Sequence, residues 1–166
     1  METTTTRTRE YSWEDPFAAF AKGRAMGGLE YIKAMIAGKV PPPPIALTMG
    51  MNIVEVEKGR AVFSITPQEF HYNPIGSVHG GVFCTILDSA MGCALHTALP
   101  LGTGYTTLEL KTNFLRPLTT KTGPVTCEGT IINLGKKVAL AEATLKDAEG
   151  RLYAHATCTC LIFSTE

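Results

Sequence analysis

The chain has 166 residues, about one domain's worth, and is 45% hydrophobic, enough to build a core. Fifteen Lys and Arg balance fifteen Asp and Glu, so the net charge is zero, and no basic run offers nucleic acid a footprint. No stretch approaches the roughly 18 continuous apolar residues that would span a bilayer, and five cysteines without a Cys-x-x-Cys argue against a disulfide framework or a structural zinc.

Met1 to Glu10 is Thr-rich and charged, lacks an apolar core, and reads as a disordered tail rather than a secretory leader. From Trp13 to Ala37, Phe17, Phe20, Met26, Tyr31, Ile32, Met35 and Ile36 recur at helical intervals, and Gly23, Gly27 and Gly28 divide the pattern into two helices. Pro41 to Pro44 is a stiff extended spacer leading into a first strand. The organisation expected is therefore an extension over residues 1–44 and one domain over 45–166.

Strand patterns follow at Ile45–Val56 and Ala61–Thr66, joined by the hairpin-like Glu57-Lys58-Gly59-Arg60. A Gly-rich loop, Asn73-Pro74-Ile75-Gly76-Ser77-Val78-His79-Gly80-Gly81, then opens a helix reaching about Ala98. That helix is apolar on most sides, which predicts burial. Four more strand patterns come after it: Tyr105–Leu115, Val125–Leu134, Lys137–Lys146 and Leu152–Phe163, linked by short turns. Two strands, one long helix and four strands predict an α+β fold with an antiparallel sheet packed on one helix. Ala90, Gly92, Ala94 and Ala98 either admit a second helix or seat this one on a curved sheet. Cys158 and Cys160 share one strand face about 6–7 Å apart along the chain, a poor spacing for a disulfide. All five cysteines read as buried or half-buried small hydrophobes of a reducing cytoplasm.

The loop and helix carry the chemistry. A Gly pair opening a helix presents unpaired N–H groups at the positive end of the dipole, with no side chain to hold a ligand away. Asp88 is an acid inside an otherwise apolar helix, costly unless satisfied or used. An electrophile clamp and a base are the two parts needed to hydrolyse an activated acyl group.

These residues resemble the hotdog-fold acyl-CoA thioesterases, specifically the branch similar to phenylacetate-pathway thioesterases. The motif is Asn73-x-x-Gly76-x-x-His79-Gly80-Gly81 followed by Asp88 and Gly92, with Leu115-Arg116-Pro117 and Leu134-Gly135-Lys136 in supporting positions. The resemblance spans roughly Ile45 to Phe163. It implies a hotdog fold, a curved antiparallel sheet wrapped around one central helix, and hydrolysis of an acyl- or aryl-CoA without metal or other cofactor, coenzyme A being part of the substrate. A homodimer, or a tetramer of two dimers, is implied as well.

Helix geometry bears on that assembly. Gly80 and Asp88 are eight residues apart, about 12 Å along the axis and about 80° around it. A base must lie within about 3 Å of its proton. One helix cannot supply both ends of one reacting centre, which argues for a two-fold dimer with reciprocal sites.

Asp88 is the candidate nucleophile or general base, and the Gly80 and Gly81 amides the carbonyl clamp. Asn73 is a candidate for holding water or the carbonyl, or for capping its own turn. His79 is a candidate base whose commoner role is local hydrogen bonding. By the resemblance, Thr107 positions water near the acid, whereas Gly92 lacks the hydroxyl some relatives carry. Arg116, Lys136 and Lys137 are candidates for the coenzyme A phosphates, and Phe83, Leu87, Met91 and Tyr105 for the acyl pocket. His71, His96 and His155 have no metal-ligand spacing. The competing readings are a non-catalytic acyl-CoA-binding or sensing protein of this fold, and a hydratase.

Overall fold

The computed structural model describes residues 5–165. Three short helices come first: α1 (Pro16–Arg24), α2 (Gly28–Ile36) and α3 (Pro44–Met49). Strands β1 (Met51–Glu57) and β2 (Arg60–Ile65) follow, then a 3-10 turn at Glu69–His71 and the long helix α4 (Gly80–His96). Four strands complete the chain: β3 (Thr103–Phe114), β4 (Val125–Leu134), β5 (Val138–Asp147) and β6 (Leu152–Ser164). All pairings are antiparallel, in the order β1-β2-β4-β5-β6-β3.

The helix and the sheet fit because their facing residues are complementary in size. On the inner face of the sheet, Ala139, Ala141 and Ala143 of β5 and Ala154 and Ala156 of β6 are buried. Gly129 of β4 lies directly beneath Ala90, where any Cβ would strike the helix backbone. Into this shallow floor α4 presses Ile86, Leu87, Met91 and Leu95, all at most 1% exposed. Each such side chain contributes roughly 1.5–3 kcal/mol on burial. Ala90 and Ala94 therefore seat the helix on the sheet, which decides between the two roles open for the small residues there.

The α+β architecture, the split of the first helical pattern at Gly27 and the turn between β1 and β2 agree with the sequence. Ile45–Val56 does not form one strand. Its first part is α3, opened by Pro44 and closed by Gly50 at φ 64°. Proline just inside a helix and glycine just past its end are a start and a stop, and here they outweigh an apolar run.

The tail is also more ordered than expected. Residues 1–4 lie outside the described residues; over 5–10 there is no helix or strand, but Arg9 donates to the carbonyls of Thr48 (2.5 Å) and Leu47 (2.7 Å). Its guanidinium stacks 3.9 Å from the Phe70 ring centroid, so charge capping and cation–π attraction pin the tail to the end of α3.

All five cysteines are free thiols, and the Cys158 and Cys160 sulfurs lie 3.7 Å apart in the core. Among the described residues no helix is long and apolar enough to cross a membrane.

Among the described residues, the strand β3 forms one edge of the sheet, paired to β6 alone. Its register slips between Thr107 and Glu109, leaving Leu108 out of the ladder and 60% exposed. A bulge shifts the alternation by one. Tyr105 and Thr107 before it, and Leu110, Thr112 and Phe114 after it, therefore all face α4.

Candidate active site

Asp88 sits where α4 emerges from the core, on a stripe with Gly81, Thr85 and Ser89 that the sheet leaves partly open. The bulged strand brings Thr107 to it: the Thr107 hydroxyl donates to Asp88 Oδ1 at 2.9 Å. No hydrogen bond from the described residues reaches Oδ2, leaving one carboxylate oxygen for whatever enters.

The carboxylate lines a cleft of about 480 Å³ with Ser89, Cys93, Tyr105, Ile53 and Phe63, closed on another side by residues of α2, the proline spacer and α3. Burial, and secondarily the Asp88 charge, push the Cys93 thiol up to about 12. It stays protonated and does not compete as a nucleophile. Burial likewise holds the Tyr105 phenol well above its ordinary value, so it is a hydroxyl donor.

The helix N-terminus forms a second, separate groove of about 380 Å³, with Gly80, Phe83, Phe114 and Arg116 in its lining. The Gly80 N–H has no acceptor among the described residues. That of Gly81 has one: it donates to His79 Nδ1 at 2.9 Å. His79 is the N-cap, and accepting at Nδ1 leaves a neutral ring with its proton on Nε2. Of the two amides expected to clamp a carbonyl, Gly80 alone is free, and the local role of His79 is the one observed.

Asn73 shapes the loop before the helix. Its Oδ1 accepts from the N–H groups of Ile75 (3.1 Å) and Ser77 (3.2 Å), and its Nδ2 donates to Ser77 Oγ. The side-chain oxygen is thus committed to the turn, and one Nδ2 hydrogen remains for a ligand.

Other expected residues are placed differently. Leu87 and Met91, expected in the acyl pocket, are 0% exposed and belong to the core, because their positions on α4 turn toward the sheet. Phe83 packs edge-on against Phe114 at 5.6 Å in the Gly80 groove, whereas Tyr105 lines the Asp88 cleft. Arg116 donates to the Leu152 carbonyl at one end of β6. Exposed Lys136 and Lys137 lie at the other end, where the Lys137 carbonyl accepts from Ile162. Ten residues of strand, about 30 Å, separate the two groups, so one chain does not assemble the cationic rim.

Sequence reasoning missed Phe114, and it left the extension without an assigned task, open to covering either a sheet edge or the pocket mouth; Met35, Ile36, Pro42 and Pro43 in fact line the cleft. Phe114 left a trace, an aromatic ending a strand next to Leu115-Arg116-Pro117. Among the described residues no cluster of His, Cys, Asp and Glu has the arrangement of a metal site.

The family model described as the thioesterase superfamily matches residues 75–154. A Saccharolobus solfataricus protein carrying an esterase designation is 35% identical over 118 residues, 71% of this chain and 82% of that one. The 1,4-dihydroxy-2-naphthoyl-CoA hydrolase of Listeria monocytogenes is 29% identical over 115 residues, 69% of this chain and 92% of its own. Among solved structures, a phenylacetic acid degradation-related protein from Ralstonia eutropha has a TM-score of 0.71 at 29% identity, covering 79% of this chain and 98% of that one. The PaaI protein of Escherichia coli has a TM-score of 0.71 at 19% identity, covering 83% and 94%, a likeness of fold.

Proposed function

The chain belongs to the thioesterase superfamily, and from that premise we propose that it hydrolyses an acyl- or aryl-CoA thioester, with Asp88 as the base. The observation carrying this reading is the Thr107–Asp88 hydrogen bond at 2.9 Å in a cleft with apolar walls. The bond holds one carboxylate oxygen and leaves the other for water.

In the proposed step Asp88 takes a proton from water as the water oxygen bonds to the thioester carbon. The carbonyl oxygen gains negative charge and is stabilised by the Gly80 N–H and the helix dipole. Collapse breaks the C–S bond, and the thiolate leaves with the proton from Asp88. The products are a free acid and coenzyme A, and no group is oxidised or reduced. The same free oxygen would serve a nucleophilic route through a mixed anhydride on Asp88, since Thr107 holds Oδ1 alone.

The two halves of this site lie about 12 Å apart on α4, so the reading includes a two-fold homodimer. The open edge of β3 suits it. Its helix-facing side carries Thr107 beside Asp88 near one end and Phe114 beside Gly80 at the other; a Cβ on Gly80 would stand 3.3 Å from the Phe114 ring. Two such strands paired antiparallel about a two-fold near their centre set Thr107 of one protomer beside Phe114 of the partner subunit. The same symmetry brings the far-separated Arg116 and Lys136/Lys137 toward one entrance. A cytoplasmic location fits five free thiols.

Mixing two inactive variants tests the whole reading. Asp88→Asn removes the base, and Gly80→Pro removes the amide at the first helical position, where proline is tolerated. Heterodimers reassociated from the two carry one intact site. Thiol release at about a quarter of the wild-type rate is expected from a statistical mixture. No recovery, with heterodimers demonstrated by mass, counts against shared sites, and thioester binding without turnover by the wild type favours the sensor.

A further inference from the structure

The segment from Gly28 to Met49 precedes the stretch that matches the family model, which begins at residue 75. It nevertheless reaches the Asp88 cleft, whose lining includes Ile36 of α2, Pro42 and Pro43 of the spacer, and Ile45 of α3. Ile36 and Ile45 are 42% and 47% exposed. Both are aliphatic side chains that line the cleft and keep a little under half of their surface clear of protein neighbours.

The segment is held rigidly enough to act as a wall. Gly28, which opens α2, lies against the carbonyl of His96 at the end of α4, closer than any side chain permits. Ile32 is 1% exposed and anchors the middle of α2. Four consecutive prolines restrict the spacer, and the Arg9 bonds to Leu47 and Thr48 fix the far end of α3. Position is thus set from both ends, and the aliphatic groups are preorganised before any ligand arrives.

We propose that α2, the proline spacer and α3 are the specificity wall of the acyl pocket, with Ile36 and Ile45 setting the length of acyl group that the Asp88 cleft accepts. This rests on the reading of that cleft as a thioesterase site. The thioester carbon sits at Asp88, so an acyl chain running away from the Gly80 end meets this wall, and its terminal carbons contact Ile36 and Ile45. The cleft is lined mainly by apolar groups, so the ligand end it takes is hydrocarbon.

Two ladders test the proposal. The first is kcat/KM for straight-chain acyl-CoAs from acetyl to dodecanoyl. The second is the Kd of the matching S-alkyl-CoA thioethers, which bind without reacting. Ile36→Ala and Ile45→Ala should move the preferred length upward, and Ile36→Trp downward. Ratios between neighbouring lengths near the cut-off should change about 10-fold, the usual worth of one methylene in an apolar pocket. Both residues are half exposed, so the variants are expected to fold, and a thermal melt verifies it.

Ladders that superimpose on those of the wild type, or absence of thioether binding, overturn the proposal. A shifted thioether ladder in a protein that hydrolyses no acyl-CoA supports the wall and removes the catalytic reading, so the two failures are distinct.

Discussion

The Tyr105 hydroxyl lies 2.6 Å from the point where a Cβ on Gly92 would stand, with two ring carbons at 3.0 and 3.1 Å. Gly92 is one helical turn beyond Asp88 and on the same face. The missing side chain on the helix is therefore replaced by a phenol from the edge strand. Tyr105 in turn touches the ring of His96, centroid to centroid 6.0 Å.

Gly92→Ala should cost about 1–3 kcal/mol, the usual penalty for overpacking a filled site, and should lower turnover by displacing the strand that carries Thr107. Adding Tyr105→Phe removes the atom in closest conflict and should recover part of the lost Tm. Melts of the wild type, both single variants and the double variant measure the coupling. Strictly additive losses would mean that the two residues do not share the space.

The hydrogen bond from Thr107 makes a second prediction. Asp88→Asn should reduce kcat by about 10²–10⁴, the range for a general base, with KM little changed. Thr107→Val should reduce kcat by roughly 10- to 100-fold, corresponding to about 1.5–3 kcal/mol for a hydrogen bond to a charged group. Thr107→Ser keeps the hydroxyl and should retain most of the rate. If Ser and Val are equally impaired, packing of the γ-methyl, not the hydrogen bond, is what matters.

The elements legible in the sequence were those whose burial is periodic. The apolar run of α4 and the alternation of β4, β5 and β6 come through because the helix and one face of the sheet cover each other. The motif around His79 and Asp88 was legible because loop, cap and acid are close in sequence. What stayed hidden depends on relations between distant segments. Leu87 and Met91 are apolar like Phe83, and only the direction of the sheet shows that they turn inward. The bulge at Leu108, which aims Thr107 at Asp88, has no glycine or proline to announce it. The place of Ile36 and Ile45 in the cleft lining emerges only when α2 and α3 fold back beside β1. Conversely, the stop and start of α3 were present as Pro44 and Gly50, masked by an apolar pattern that fits strand or helix equally well.

His79 supplies a third prediction. As the N-cap accepting from Gly81, it should be worth about 1 kcal/mol to the helix. His79→Ala should lower Tm modestly and reduce kcat less than 10-fold, through a looser Gly80 turn, with the shape of the pH–rate profile unchanged. A loss above 10³-fold with one limb of that profile abolished would instead make His79 the base.

Stability toward acid should fall in two stages set by different residues. His71 donates from Nε2 to the Met49 carbonyl at 2.8 Å and accepts the Gln68 N–H at Nδ1, a neutral-ring arrangement. Burial, and then Arg9, lower its pKa despite the opposing Met49 bond. A folded value below the ordinary one means that its contribution is complete above about pH 6.5 and is lost as pH falls through the folded value. Asp147 follows the same sign further down. Burial pushes its carboxyl up, but the N–H of Arg151, the Tyr153 hydroxyl, the Arg151 charge and the N–H of Glu149 together hold it below the ordinary range. Its contribution is complete above about pH 3.9 and disappears below that. Tm should therefore be level above pH 7, decline once below 6.5 and again below 4. His71→Gln should flatten the first decline and Asp147→Asn the second, each at the cost of a lower Tm at neutral pH. Melts from pH 8 to 3 check this, and a first decline that persists unaltered in His71→Gln would assign it to another group.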